Sequence, residues 1–460
     1  MQKKFLFILF LSTWGYANTI VPSTGSDLKI TIYNDNRAFV NDTRQIEVAK
    51  GKQKLVYEGV PSSVITQSVV PTFTGIQTRL YSQNYIYDLI SLSSMLKNSI
   101  NKEIDFYTNG ENPRLSHGVL LCASPVMVQE QSTGSIYTLN AATQVIFSKI
   151  PETMITKPSL VWNMETAKAG TLNIDLKYLA SGISWKSDYV LNLQKDVLDL
   201  TGWITVKNNS GVAYQNADIT CLAGDIHKVN TLGQDKRMYK TKELVMADMP
   251  VVKEESFSGY HIYKIPFRET IANKQQKQIN FIDKKEIAYT QYGIANNSYF
   301  ENYGEQKLTF ANTIQFENTK ANHLGIALPA GVVRMYQKDS NKETHFIGEE
   351  RVHNIPEDEN VTLTIGTLFD AVGEKSITKF VAKKGYRNVE TTYDIRNQGK
   401  EPLVLKIKEL IPAYGEHISV KTSCKDNCSV KKKNAFVREY TITLKAKEQY
   451  LFTSEFEVTY

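Results

Sequence analysis

Cysteine is scarce. Cys122, Cys221, Cys424 and Cys428 are the four in 460 residues, and no histidine or further cysteine flanks them at ligand spacing, so a zinc site built on them is not expected. Long apolar runs are also missing. The longest near the start, FLFILFL at 5–11, falls far short of the roughly 20 apolar residues of a spanning helix. Charge of one sign is not in excess either. A net charge of +6 is small for this length and is no footprint for nucleic acid. Catalytic signatures are absent too. There is no G-x-S-x-G elbow, GISWKS at 182–187 has the wrong spacing, and no H-E-x-x-H occurs. Ser94 and Lys97 fit S-x-x-K, but the companion S-D-N and K-T-G motifs are missing. Gly373 to Ser376 ends like a phosphate loop, without its upstream glycine and in a β context.

What is present points to β structure. Tyrosine occurs 25 times, and Thr, Val and Ile are plentiful, residues that suit a pleated, half-buried surface. With 42% hydrophobic and 22% charged residues the chain has an ordinary globular balance. Its length suggests about three domains. Lys3 and Lys4, the apolar run, then Gly15 and Ala17 read as a secretory signal cut after residue 17. That expectation makes the chain exported, periplasmic or cell-surface associated, and permits disulfides. Cys424 and Cys428 flank Lys-Asp-Asn in a polar tip and are expected to pair. Cys122 and Cys221 stand in apolar strand contexts that read as buried free thiols, and spacing does not decide whether they pair.

The clearest pattern lies at 178–226. Tyr189, Leu191 and Leu193 alternate with polar neighbours. Leu198, Leu200, Ile204 and Val206 share one face, with Asp199, Thr201, Thr205 and Lys207 on the other. Asn208 to Gly211 is a strong turn, and Ala217, Ile219, Cys221 and Ala223 then point inward. Trp203 sits on the otherwise polar face, where it covers a neighbouring domain or joins a binding surface. Around this stretch the expected organisation is a signal peptide (1–17), an N-terminal β domain (18–82), one short helix (83–100) and a small SH3-like barrel insert (101–155). A β-sandwich core follows in two parts (156–231 and 259–380), split by a linker or long loop at 232–258, and a C-terminal sandwich closes the chain (381–460). The helix pattern sets Leu89, Leu92, Leu96 and Ile100 on one face, with Asp88 as cap. The fold class is therefore mainly β, several sandwich-like domains with a small barrel-like insert.

Two polar clusters are candidates for binding. Tyr260, His261 and Tyr263 lie close together on one expected strand. Glu349, Arg351 and His353 share a face of another, with Glu350 beside them and Asp370 further along. Imidazole, guanidinium and carboxylate together suit an anion or a polarised substrate, and equally suit a structural network.

The segments GISWKSDYVLNL, LTGWITVKNNSG, NADITCLAGDI, FSGYHIYKIP, LPAGVVRMYQKD and FIGEERVHNIPEDENVTLTIGTLFDAVGE occur in this order. With Arg396-Asn397 they resemble a bacterial family, domain of unknown function 4139, often labelled mucoidy-inhibitor-A-like. The resemblance runs from about residue 158 nearly to the C-terminus, and the entry strands look like that family's N-terminal partner domain. It implies an exported β-sandwich protein and no particular activity. Many relatives carry a long coiled coil where this chain has a short helix and a small β unit.

Three functions follow as expectations. The first is a non-enzymatic cell-envelope protein that binds or scaffolds an envelope protein or surface polysaccharide through sandwich surfaces, with no cofactor, metal or nucleic acid. The second is an envelope hydrolase or polysaccharide-modifying enzyme using the His261, Glu350, Arg351 and His353 region. The third is an outer-membrane β-barrel, suggested by the alternating Phe452, Phe456, Val458 and Tyr460.

Overall fold

The computed structural model describes residues 18–23, 27–86, 89–108, 113–140, 144–150, 154–224, 253–257, 259–298, 304–411 and 417–459. The expected signal segment, Asp88 and most of the expected linker lie outside these residues. Within the linker, Lys253–Phe257 is a strand. The described residues are mostly strand, with a single α-helix, as the composition and the alternation of side chains require. None of the six sheets closes into a barrel among the described residues, and no helix there is long and apolar enough to cross a membrane. The chain divides into two compact units.

The first unit holds residues 1–185, 206–222 and 262–277. One of its sheets, eight-stranded in all, includes in order Tyr214–Ala223, Asp27–Tyr33, Arg37–Val48, Gly170–Ser181 and Val70–Thr74. Another runs Asn18–Val21, Gly51–Glu58, Ser159–Thr166 and Thr78–Ile86. Period-two alternation sends Ile30, Ile32, Val40, Leu55, Tyr57, Trp162, Leu172 and Ile174 into the interior. Arg44 is buried with them. Its guanidinium is satisfied by Asp42 at 2.5 Å and by the Glu58 carbonyl at 2.7 Å, and it stacks 3.9 Å from the Tyr57 ring centroid.

The small β unit forms from the five expected strands, Glu103–Tyr107, Leu115–Ala123, Val126–Glu130, Ile136–Leu139 and Val145–Ile146. Its sheet is open, with the last two strands at opposite edges. The helix is shorter than the pattern suggests. Ser91 accepts a bond from the Ser94 N–H at 3.0 Å and starts a helix over Leu92–Asn98. In it Met95 and Leu96 are buried and Leu92 is exposed. Leu96 completes a core with Ile104, Phe106, Leu120, Val128 and Leu139. Cys122 is only half-buried, contrary to its apolar context, whereas Cys221 is buried, and both are free thiols.

The second unit holds 186–205, 223–261 and 278–460. Its first sheet runs Gln275–Ala288, Val197–Asn208, Ile183–Leu193, Gly331–Lys338 and Thr344–Val352. Here Ser187–Leu193 pairs in parallel with Gly331–Gln337. A six-stranded sheet runs Asn360–Thr367, Ala311–Glu317, Thr290–Ser298, Leu403–Leu410, Val437–Leu444 and Cys428–Lys432. The third runs Glu305–Leu308, Ala371–Lys383, Tyr386–Asn397, Gln449–Thr459 and His417–Thr422. The last two sheets share an interior of Phe310, Tyr393, Leu405, Ile407, Tyr440, Ile442 and Phe452. A disulfide joins Cys424 to Cys428, Cα to Cα 5.2 Å, and Cys424 packs against that interior.

Buried asparagines end several strands. Asn208 donates to the Val212 and Ala272 carbonyls at 2.8 and 3.1 Å. Asn318 donates to those of Ile326 and Pro356, both at 2.7 Å. Asn397 donates to Glu401 and Lys445 at 2.8 and 2.9 Å, while its Oδ1 accepts from the Gly399 N–H. A side-chain amide supplies both a donor and an acceptor where the ladder stops, so buried backbone groups there keep partners.

Candidate functional site

The face of the six-stranded sheet that points away from its core carries an open groove of about 340 Å³. Alternation decides the lining. In Thr290–Ser298, Gly293, Ala295 and Asn297 turn inward, while Tyr292, Ile294 and Asn296 turn to the groove. In Leu403–Leu410, Leu405, Ile407 and Glu409 turn inward, and Lys406 and Lys408 outward. Register then sets side chains abreast. Ile294 pairs with Lys406 and Asn296 with Lys408, and Lys408 pairs in turn with Glu439. On the other flank Tyr292 pairs with Thr313, Thr313 with Thr364, and Gln315 with Thr362.

The Lys406 ammonium lies 3.5 Å from the centroid of the Tyr292 ring. Partial burial lowers the Lys406 pKa, opposed by Glu439 and assisted by Lys433 and Lys408. Burial and Glu439 together raise that of the Tyr292 hydroxyl. This hydroxyl donates to Gln315 Oε1 at 3.1 Å, and Gln315 Nε2 donates to Asn360 Oδ1 at 3.2 Å. Lys433 pairs with Glu439 at 3.0 Å. Three lysines therefore face one carboxylate in the groove. A cation held over an aromatic face, next to amides and hydroxyls, offers an anionic or hydroxyl-rich ligand both charge and hydrogen bonds.

A second polar cluster lies on the parallel strand pair of the first sheet of this unit. Asp188 accepts from the Thr205 hydroxyl at 2.8 Å and pairs with Lys186 at 3.1 Å and Arg334 at 3.4 Å. Burial alone raises the pKa of its carboxyl, but Thr205, Lys186 and Arg334 outweigh it and hold the value below the ordinary range. Arg334 also reaches Glu349 at 3.3 Å. Thr205, on the face expected to be polar and outward, is thereby buried.

The residues singled out from sequence fall in several places. Glu350 Oε2 accepts the Thr364 N–H at 2.5 Å, a bond between neighbouring strands. Arg351 points to the opposite face and is exposed, and His353, just past the strand end, is exposed as well. These three do not converge. Tyr260 and His261 are half-buried, the Tyr260 ring lying where a side chain on Gly224 would stand. Tyr263 is buried, its ring centroid 6.0 Å from that of Trp185. Trp203 is half-buried. Among the described residues, Asp339, Glu343 and His345 bring three ligand-type atoms within 4.8 Å at an exposed hairpin. Asp339 Oδ1 already accepts the N–H groups of Asn341 and Glu343, which closes that turn.

The groove escaped sequence reasoning. The alternation of Leu405 and Ile407 with Lys406 and Lys408 is visible in the sequence, but the parallel neighbour that supplies Tyr292 is 114 positions earlier and nothing local announces it. Residues 174–460 match the family described as Domain of unknown function (DUF4139). No curated protein matches the chain.

Proposed function

The chain belongs to the family of domain of unknown function 4139, and from that premise we propose that it is an exported, non-enzymatic envelope protein that binds an acidic surface polysaccharide along the six-stranded sheet. The observation that carries this reading is the Lys406 ammonium held 3.5 Å over the Tyr292 ring, inside a groove with two further lysines. Tyr292 holds Lys406 in place, and the lysines meet the carboxylates of such a polymer. The rows of Thr and Gln beside them match hydroxyl groups. The basic, apolar start of the sequence supports export. Glu350, the acid of the hydrolytic alternative, is held by a backbone N–H.

Calorimetric titration of the mature chain with acidic and neutral oligosaccharides of equal length tests the reading. Binding of the acidic series, weakened in Lys406→Met, is expected. Equal or absent binding of both series, or release of reducing ends during the titration, contradicts it. Cell fractionation that finds the chain in the cytoplasm contradicts the export part.

A further inference from the structure

The interior shared by the second and third sheets of the second unit holds a polar group that the groove does not use. Asn297 and Glu409 are register partners on adjacent parallel strands. Lys375 and Tyr393 are register partners on adjacent antiparallel strands of the facing sheet. The four side chains meet. Lys375 Nζ donates to Asn297 Oδ1. Asn297 Nδ2 donates to the Tyr393 oxygen at 2.5 Å, and the Tyr393 hydroxyl donates to Glu409 Oε1 at 2.6 Å. Glu409 Oε2 is held by Ser454 at 2.8 Å and Tyr440 at 3.2 Å. Lys375 is 8% exposed, Asn297 1%, and Tyr393 and Glu409 not at all. Tyr393 stacks on Phe452, centroids 4.7 Å apart, and Tyr440 packs on the same ring at 5.0 Å.

We propose that Lys375 and Asn297 form an intramolecular isopeptide bond that ties the two sheets together. Buried lysines are rare, and this one is placed on a carboxamide whose nitrogen contacts the Tyr393 hydroxyl. Burial lowers the pKa of the Lys375 ammonium, with Glu409 opposing, which favours the uncharged amine that a nucleophile requires. The amine lone pair attacks Asn297 Cγ and a C–Nζ bond forms. One Nζ proton passes to Oδ1, which Nζ already contacts, while the Tyr393 hydroxyl, held by Glu409, gives its proton to Nδ2 and regains one from Oδ1 as the carbonyl re-forms. The Cγ–Nδ2 bond breaks and ammonia leaves. Amine plus primary amide gives secondary amide plus ammonia, so atoms balance and no oxidant, metal or nucleotide is needed. Tyr393 touches the leaving nitrogen directly. Glu409 acts through Tyr393 and is a positioning residue. Fixed contact between reactants supplies a large effective concentration, and the aromatic surround keeps water from competing.

Intact-mass measurement on the full chain, purified folded, followed by fragmentation of its proteolytic peptides, tests this. The expected result is a chain lighter by one ammonia, with a branched peptide joining Lys375 to Asn297. A folded chain of full mass overturns the proposal, and so does an ammonia loss confined to a linear Asn297 peptide, which is a succinimide. Lys375→Met is expected at full mass. Tyr393→Phe and Glu409→Gln, checked for cooperative unfolding, are expected to fold yet keep full mass, a readout that a merely structural role does not move. A folded E409Q chain that still carries the branched peptide overturns the role given to Glu409.

Discussion

Lys406 and Tyr292 sit on neighbouring parallel strands as a cation over an aromatic face, 3.5 Å from ammonium to ring centroid. The pair lies on the side of the sheet away from the core, so removing it touches ligand contacts more than packing. Lys406→Met is expected to weaken an acidic oligosaccharide by about 1–2 kcal/mol, roughly tenfold. The unfolding free energy from urea melts is expected to change by less than about 0.5 kcal/mol. Titration calorimetry and urea melts of the same preparation separate the two effects.

Asn397 is fully buried and its amide holds the Glu401 and Lys445 carbonyls. Asn397→Ala leaves those acceptors without that donor, and a loss of about 1–3 kcal/mol is expected. Asn397→Asp is expected to do at least as much harm near neutral pH, because a carboxylate faces carbonyl oxygens. Urea melts at pH 7 rank the three proteins.

Gly331 passes so close to Ser187 that a Cβ would stand 2.4 Å from the Ser187 carbonyl oxygen. The two residues are register partners in the parallel pair, and backbone offers no flexible end to move aside. Gly331→Ala is expected to destabilise the second unit by roughly 2 kcal/mol or more. Amide exchange along 187–193 and 331–337 is expected to speed up with it.

Asp188 sets a pH dependence. Its folded pKa is depressed by Thr205, Lys186 and Arg334 against burial, so the folded state binds its proton less readily than the unfolded chain does. The stabilisation is present above the unfolded value of about 3.9 and is lost as pH falls through the lower folded value. Asp188→Asn is therefore expected to be less stable than the natural chain at pH 7 and to close that gap in acid. Thermal melts from pH 7 down to pH 3 check the convergence.

The strands were legible where alternation is clean. Ala217, Ile219 and Cys221 point inward as read, and the five strands of the small β unit fall where their turns imply. The helix was legible as a helix but not in its bounds: it is capped by Ser91 and ends at Asn98, and of the expected face Leu96 is buried while Leu92 is exposed. Neither the groove nor the Lys375 site was legible. Both depend on parallel pairing between strands more than a hundred residues apart, and a lysine within a strand reads as solvated until its cross-sheet neighbours are known. Alternation placed Glu349, Arg351 and His353 on one face, but the strand ends at Val352, and Glu349 and Glu350 are drawn to Arg334 and the Thr364 N–H, partners that the local sequence does not reveal.

The strands Val437–Leu444 and Gln449–Thr459 do not sit at the margins of their sheets. Each lies between two others, Val437–Leu444 between Leu403–Leu410 and Cys428–Lys432, and Gln449–Thr459 between Tyr386–Asn397 and His417–Thr422. Until these two strands are in place both sheets have exposed edges, and Tyr393 and Leu405 of their shared interior are left unsealed. Both insertions are long-range pairings, so the unpaired interval before them is when a folding chaperone matters most.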